Sequence, residues 1–496
     1  MSLTTTLPLL VIASSLIPGL IIFFLSEEHY TTRTVLNMSG AVAKVLLVAY
    51  MLWGVTQGQV FQVQYTVLPG LELMLRADAL ALLFVPLSAS LWLLTTIYAV
   101  GYLEGSPNRS RFFGFFSLCV ASTTGLALAG NLFTFFIFYE LLTLSTYPLV
   151  VHRGTHKALR AGGIYLAYTL AGGAVLLVGV VWLYALAGSV DFIEGGMLEP
   201  LAADHAPALR IIFLLLIVGV GVKAALVPLH GWLPLAMVAP APVSALLHAV
   251  AVVKAGAFGI ARIVYDVYGV EFAQDLQLLW PLAVAGAITV IYGSLRALFQ
   301  DDIKRRLAYS TVSQVSYVVL GIGLFGPIGT LGGLVHLVHQ GIMKITLFFC
   351  AGNYAETLGI HKVSEMAGVG RRMPWTTIAF TVAALGMIGL PPLAGFVSKW
   401  YLGLGALEAG MPWVLAVLVA SSLLNAAYFL PTLYQAWFAS PAEPWPVAAG
   451  RRETRWLLLV PPLVTAAATL AAGLFAASGY SPLEWAKLVT AREYLR

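Results

Sequence analysis

Residues 220–259 read VGVKAALVPLHGWLPLAMVAPAPVSALLHAVAVVKAGAFG. The stretch is apolar enough for a lipid bilayer, yet Pro228, Gly231, Pro234, Pro240 and Pro242 interrupt it between Lys223 and Lys254. Each proline deletes an intrahelical hydrogen bond and opens the ladder. A charged side chain at bilayer depth costs about 3 kcal/mol on insertion scales, so it faces a partner or a wet cavity and marks an ion path. Residues 386–405, GMIGLPPLAGFVSKWYLGLG, repeat the pattern, with Pro391 and Pro392 ahead of Lys399. A proline kink alone means little in a membrane helix. A kink beside a buried lysine, seen twice, predicts broken helices that admit water and ions.

The rest of the chain agrees with a membrane setting. Of 496 residues, 60% are hydrophobic and only 10% charged, with a mean hydropathy of +0.89; a soluble protein would carry about a quarter charged residues. The 47 glycines and 25 prolines suit closely packed and sometimes broken helices. Disordered, collagenous and disulfide-stapled classes are excluded, and the basic balance reads as loop bias rather than nucleic-acid binding. Cys119 and Cys350 lie in apolar runs with no partner spacing and read as packing residues, neither a metal site nor a disulfide.

A spanning helix needs about 20 apolar residues, and about fourteen such runs occur: 4–25, 34–56, 78–100, 112–130, 132–151, 160–188, 209–229, 242–265, 279–299, 307–326, 328–351, 375–404, 412–438 and 456–478. The first run has no basic residue before it and no cleavage site after it, so it reads as a helix rather than a signal peptide. Loops after odd-numbered runs hold fifteen of the 27 Lys and Arg, from Arg33 through Arg153 and Lys304 to Arg451, Arg452 and Arg455. The opposite loops hold five: Arg76, Arg210, Lys487, Arg492 and Arg496. The positive-inside rule then puts both termini on the outer side of a cell membrane. Arg262 and Arg296 lie near span ends, where snorkelling accounts for them. Lys44, away from the other motifs, pairs locally or snorkels and is given no role.

Glu140, in FIFYELLTLSTYPLV (136–150), is the acid expected near the middle of a span. Against it stand Lys223, Lys254, Lys344 and Lys399. Desolvation disfavours a lysine's charge, and a movable carboxylate can restore it, which is chemistry for moving protons. Fixed ion pairs that glue helices together are the bland alternative. Histidine adds an intermediate proton affinity: His230 lies in the first break, His248 six residues before Lys254, and LVHLVHQGIMKITLF (334–348) spaces His336 and His339 at i, i+3 ahead of Lys344. Hydrogen bonding between helices is the other reading of the histidine pair; without HExxH or a nearby acid it is no metal site. Ser310, Thr311, Ser313, Gln314 and Ser316 either line the same wet path or pack helices.

Taken together, YELLTLSTYPL, VKAALVPLHGWLP, ALLHAVAVVKAG, the HxxH-to-Lys344 stretch and LPPLAGFVSK resemble the proton-translocating antiporter-like subunits shared by respiratory complex I, Mrp-type cation/proton antiporters and membrane-bound hydrogenases. The likeness runs over roughly residues 110–420 and is strongest to the D-type subunits of Mrp antiporters. It implies an all-α fold of about fourteen transmembrane helices with two inverted five-helix repeats, helices 4–8 and 9–13, whose helices 7 and 12 are broken. Segments 1–110, 111–266, 267–440 and 441–496 would hold three N-terminal helices, the first repeat, the second repeat, and the last span with a short C-terminal surface helix. The resemblance also implies roles. Glu140 and Lys223 form the coupling pair, Lys254 with His248 the central relay, His336, His339 and Lys344 the second-half relay, and Lys399 the terminal proton site.

The chain carries no GxGxxG in a βαβ unit, no Walker A motif and no CxxC pair. We therefore expect no cofactor and no redox or hydrolytic activity of its own. Its expected partners are other membrane subunits, protons and the bilayer, with Na⁺ or K⁺ exchange left open. Rival readings are an energy-coupling subunit for another solute such as inorganic carbon, and a structural membrane anchor of a redox complex.

Overall fold

The computed structural model describes residues 3–441 and 453–494. Arg451, Arg452 and Arg496, which entered the charge count, lie outside them. Helices α1 (Leu3–Phe23) and α2 (Tyr30–Thr56) lead to a hairpin, β1 (Gln62–Leu68) and β2 (Leu71–Arg76), that the hydropathy pattern does not announce. Pro69 and Gly70 form its turn, with Gly70 at φ 80°. Then come α3 (Ala81–Tyr102), α4 (Arg109–Ala127), α5 (Leu132–Val150), α6 (His156–Ala187) and α7 (Ala202–Ala224). A short helix, α8 (Trp232–Leu235), precedes α9 (Ala241–Ala249), α10 (Val252–Arg262) and a π-helical turn, Ile263–Tyr268. The chain continues through α11 (Val270–Asp275), α12 (Leu279–Leu298), α13 (Ile303–Gly323) and α14 (Pro327–Leu358). It ends with α15 (Val369–Arg372), α16 (Pro374–Ile388), α17 (Ala394–Glu408), α18 (Trp413–Phe438), α19 (Trp456–Leu474) and α20 (Pro482–Tyr494).

Among the described residues eleven helices are long and apolar enough to cross a membrane, so the protein is an all-α, multi-pass membrane protein. The stretch Ala241–Tyr268 is wholly buried, and the apolar 18-residue core of Pro327–Leu358 is 94% buried, against 33% for that of α2. The motif-bearing helices α9, α10 and α14 are therefore the centre of the bundle, and their polar side chains face protein rather than lipid.

Three joints interrupt the helices. α7 ends at Ala224, with Ala225 at φ 58°, five residues before the end of the predicted span. The freed amide of Val227 donates to the Thr289 hydroxyl (3.1 Å), and Trp232 Nε1 donates to Val222 O (2.8 Å). The chain also leaves the helix between α16 and α17, where Gly389 takes φ 98°. A third joint, at Val250–Ala251, splits the predicted span 242–265 into α9 and α10. No proline or glycine marks it.

The loops sort onto two faces. On one, Arg76 N donates to Leu128 O, Phe192 N to Gly130 O, Ile193 N to Asp266 O and Met197 N to Val267 O. This face also carries the hairpin and α20, whose Leu483, Ala486 and Val489 are buried in packing against α14 and α3. On the other face Ile303 N donates to His361 O, Val363 N to Asp301 O and Gly368 N to Gln435 O.

One expectation about a single cation fails, and one of two open readings of another is selected. Arg262 does not snorkel: it is fully buried and forks onto Asp78 at 2.8 and 2.9 Å while holding Asp266 at 2.9 Å. An arginine with two carboxylates in reach gains more from the paired bonds than from reaching for water. Asp266 is thus a second acid within a spanning stretch, besides Glu140. Lys44 does not snorkel either; it pairs locally, donating to the hydroxyls of Ser15 and Thr124, both at 2.8 Å. Arg296 is exposed as expected. Cys119 and Cys350 are buried and free.

Candidate proton-relay site

The first group forms where α5, α6 and α7 meet. Lys223, in the last turn of α7, is fully buried, donates to the Tyr139 carbonyl and lies 3.3 Å from the centre of the Tyr139 ring. Glu140 is half-buried on α5, and its Oε1 has no hydrogen-bond partner. The carboxylate occupies the place a side chain would take at Gly173 of α6. Glu140 and Lys223 act on one another through space without a direct ion pair. Glu140 and Lys223 are therefore neighbours with no direct bond between them.

Gly256 joins this group to the next, because only a glycine lets α10 approach the Lys223–Ala224 peptide so closely. Lys254, in the first turn of α10, donates to Leu337 O of α14 at 2.6 Å. His248, in the last turn of α9, stacks on Phe348 with ring centres 4.5 Å apart, and neither of its nitrogens has a partner. The unmarked joint at 250–251 thus lies between His248 and Lys254. All three joints have a lysine within two turns.

α14 presents the second-half residues in one unbroken helix. His336 Nδ1 bonds Ser398 Oγ at 2.7 Å, which ties α14 to the residue before Lys399. His336 Nε2, both nitrogens of His339 and the amide groups of Gln314 and Gln340 are buried without partners. Buried polar groups in native proteins find partners or water, so this cluster is chemically suited to a hydrated passage. Lys344 donates to Ser310 Oγ at 2.9 Å and to Leu307 O at 3.5 Å.

Lys399 reaches back across its joint. Its Nζ donates to Met387 O (3.1 Å), Ile388 O (2.8 Å) and Ser422 Oγ (3.0 Å), and lies 5.2 Å from the Tyr317 ring centre. Each of the four expected lysines therefore serves a backbone carbonyl of a neighbouring or divided helix. None of them makes an ion pair among the described residues. His230 stands apart from this cluster, in the linker after α7. Its ring is 4.8 Å from Tyr292 and its Nδ1 is unpartnered.

The sequence reading passed over α18. Its Tyr428 hydroxyl donates to Ser310 Oγ (2.9 Å) and also contacts Asn425 Oδ1. Asn425 donates to Ser421 (3.5 Å), which meets Ser294 (3.2 Å), itself bonded to Ser313 at 2.8 Å. A line of hydroxyl and amide groups so extends from Lys344 toward α12. The signal was available: 421, 425 and 428 repeat at i, i+4, i+7 in an apolar span and share one helix face.

Residues 129–425 match the family described as NADH:quinone oxidoreductase/Mrp antiporter, transmembrane. The chain is 38% identical over 420 residues to the N-type subunit of NADH-quinone oxidoreductase of Desulforudis audaxviator, covering 82% of each protein. It is 28% identical over 426 residues to the D-type subunit of the Na(+)/H(+) antiporter of Alkalihalophilus pseudofirmus, covering 84% of each. Its structure is similar to a chain of the Mrp complex from Dietzia sp., with a TM-score of 0.86 and 26% identity, over 100% of this chain and 98% of that one.

Proposed function

Because the chain belongs to the NADH:quinone oxidoreductase/Mrp antiporter family, we propose that it carries protons across the membrane as one subunit of a multisubunit complex. In this reading α1 to α7, α9–α10, α12, α13, α14, α16–α17, α18 and α19 make fourteen crossings. Helices 4–8 and 9–13 in that count are the two inverted repeats, and the face bearing α20 is the outer one.

The observation that supports the reading best is the set of amines and imidazoles, buried or partly buried, at the helix joints and along α14, with unpartnered polar groups between them. A proton enters past His230 and is exchanged at Lys223 and Lys254. It crosses by way of His248, His336, His339 and Lys344, and reaches Lys399. Glu140 sets the state of Lys223: bringing two unit charges to about 4 Å at an effective dielectric of about 20 is worth about 4 kcal/mol. That is enough to switch a lysine between loaded and empty.

Lys223→Ala, in the complex purified by a tag on this chain and reconstituted in vesicles, is expected to abolish proton transport while every subunit still co-purifies. Wild-type transport by that variant would overturn the proposal.

A further inference from the structure

The relay leaves one buried charged cluster unused. On the face that carries α20, Arg262 is held by Asp78 and Asp266, and Glu493 of α20, only 5% exposed, lies within electrostatic range of Arg262 and Asp266. Arg76 approaches Asp78 at 4.0 Å, and Arg492 is engaged by Glu194 at 3.2 Å. Among the described residues, then, three buried carboxyls gather near one buried guanidinium. Two of them take its forked bonds. Glu493 is left with an amide, Gly195 N, which donates to Oε2 at 3.1 Å. A carboxylate in a low dielectric with no cation of its own keeps a proton instead.

Two further features set the cluster apart. Arg262 Nε and the Tyr265 hydroxyl are buried and unpartnered beside it. A cavity of about 450 Å³ lined by Arg76, Asp78, Glu194 and Arg492 opens next to it. Tyr265 lies eleven residues beyond Lys254, three turns along the same helical face and about 16 Å away, so the helix that holds the central lysine ends at this cluster.

We propose that Glu493, held by the Gly195 amide within electrostatic range of Asp266 and Arg262, is a proton-holding and proton-releasing site at the mouth of the transport path. This rests on the transport reading above. In the release step the Glu493 O–H bond breaks, the proton passes to water in the cavity, and the carboxylate remains. A proton arriving from the interior through the Tyr265 hydroxyl or Asp266 restores the O–H bond, so no other reactant is consumed.

Burial, and then the Asp266 charge, push the Glu493 carboxyl up to about 8; Glu194 acts in the same direction, and the Gly195 amide and Arg262 oppose it. From α14 the group facing α20 is Thr330, which bonds the Tyr494 hydroxyl at 2.9 Å, and Glu408 of α17 adds a negative charge near Tyr494.

The test is infrared titration of the protonated-carboxyl C=O band in the reconstituted complex, from about pH 6 to about pH 9, alongside proton transport. The wild type is expected to lose a band with a midpoint near 8. Glu493→Gln should lack that band, Glu493→Asp should keep one, and Asp266→Asn should move the midpoint to lower pH by removing a like charge. Transport by Glu493→Gln should fall severalfold and lose its dependence on pH in this range. A wild-type spectrum with no titrating carboxyl, or a band unchanged in Glu493→Gln, overturns the site. If Lys223→Ala abolishes transport while Glu493→Gln transports at the wild-type rate and pH dependence, this inference fails and the transport reading stands. If Lys223→Ala transports normally while the band behaves as expected, the transport reading fails and the protonated carboxyl remains.

Discussion

Lys44 and Lys223 are both amines without solvent exposure, and their neighbours separate them. Lys44 meets two hydroxyls that also bond carbonyls of their own helices, Ser15 to Ile12 O and Thr124 to Val120 O. Removing the amine therefore strands nothing. Lys44→Met is expected to leave transport intact and to change stability by about 1 kcal/mol or less, measured by thermal unfolding in detergent; lost transport would give this lysine a role. Lys223 instead has a carboxylate within electrostatic range and a joint at its foot. Gly173 fixes that carboxylate, because any side chain there would claim its space. Gly173→Ala is expected to slow proton transport about tenfold, the effect of losing ~1.4 kcal/mol of charge interaction. An unchanged rate would show that the Glu140 position is not critical.

At the level of helices, the two proline-marked joints were legible because proline and glycine act through the backbone. Pro228 and Pro391–Pro392 remove donors wherever they stand. The joint at Val250–Ala251 was not legible, since its residues are ordinary helix or strand formers and only their packed surroundings unwind them. Arg262 was misjudged, and Asp266 passed over, for a simpler reason. The predicted span stops at residue 265, one short of Asp266, and Asp78, the other acid that makes Arg262 a core residue, is far away in the sequence. The Tyr428 chain was readable as a polar stripe but lacked charge to attract notice. Tyr428→Phe removes the hydroxyl between Ser310 and Asn425, at a cost of about 1 kcal/mol in hydrogen bonding. Transport is expected to fall severalfold with assembly unchanged; full transport would reduce the chain to helix packing.

Across the whole molecule, alternation of loop charge and alternation of loop position tell the same story, because each crossing reverses the chain. The face away from α20 gathers the basic loops, and there His152 lies just past α5, edge-on to Phe112 at 5.1 Å. Burial, and then Arg111 and Arg153, hold its imidazole down to about 4. An unfolded histidine takes a proton near about 6.5. The unfolded chain thus binds the proton first, and stability is lost as pH falls from about 6.5 toward 4. His152→Gln is expected to flatten the melting temperature over that window; an equal slope in both proteins would place the acid sensitivity elsewhere.

The grip of Lys399 on the end of α16 has a mechanical side. A charged ammonium has three N–H groups for the two carbonyls and one hydroxyl it serves; a neutral amine has two. Discharging this side chain takes away one N–H, so either a carbonyl loses its donor or the Ser422 hydroxyl turns round and donates to the nitrogen, and the bonds at the joint change in both cases. Occupancy at a single nitrogen is thereby translated into how firmly two half-helices are clasped, so the charge of one side chain and the stiffness of the bundle around it rise and fall together.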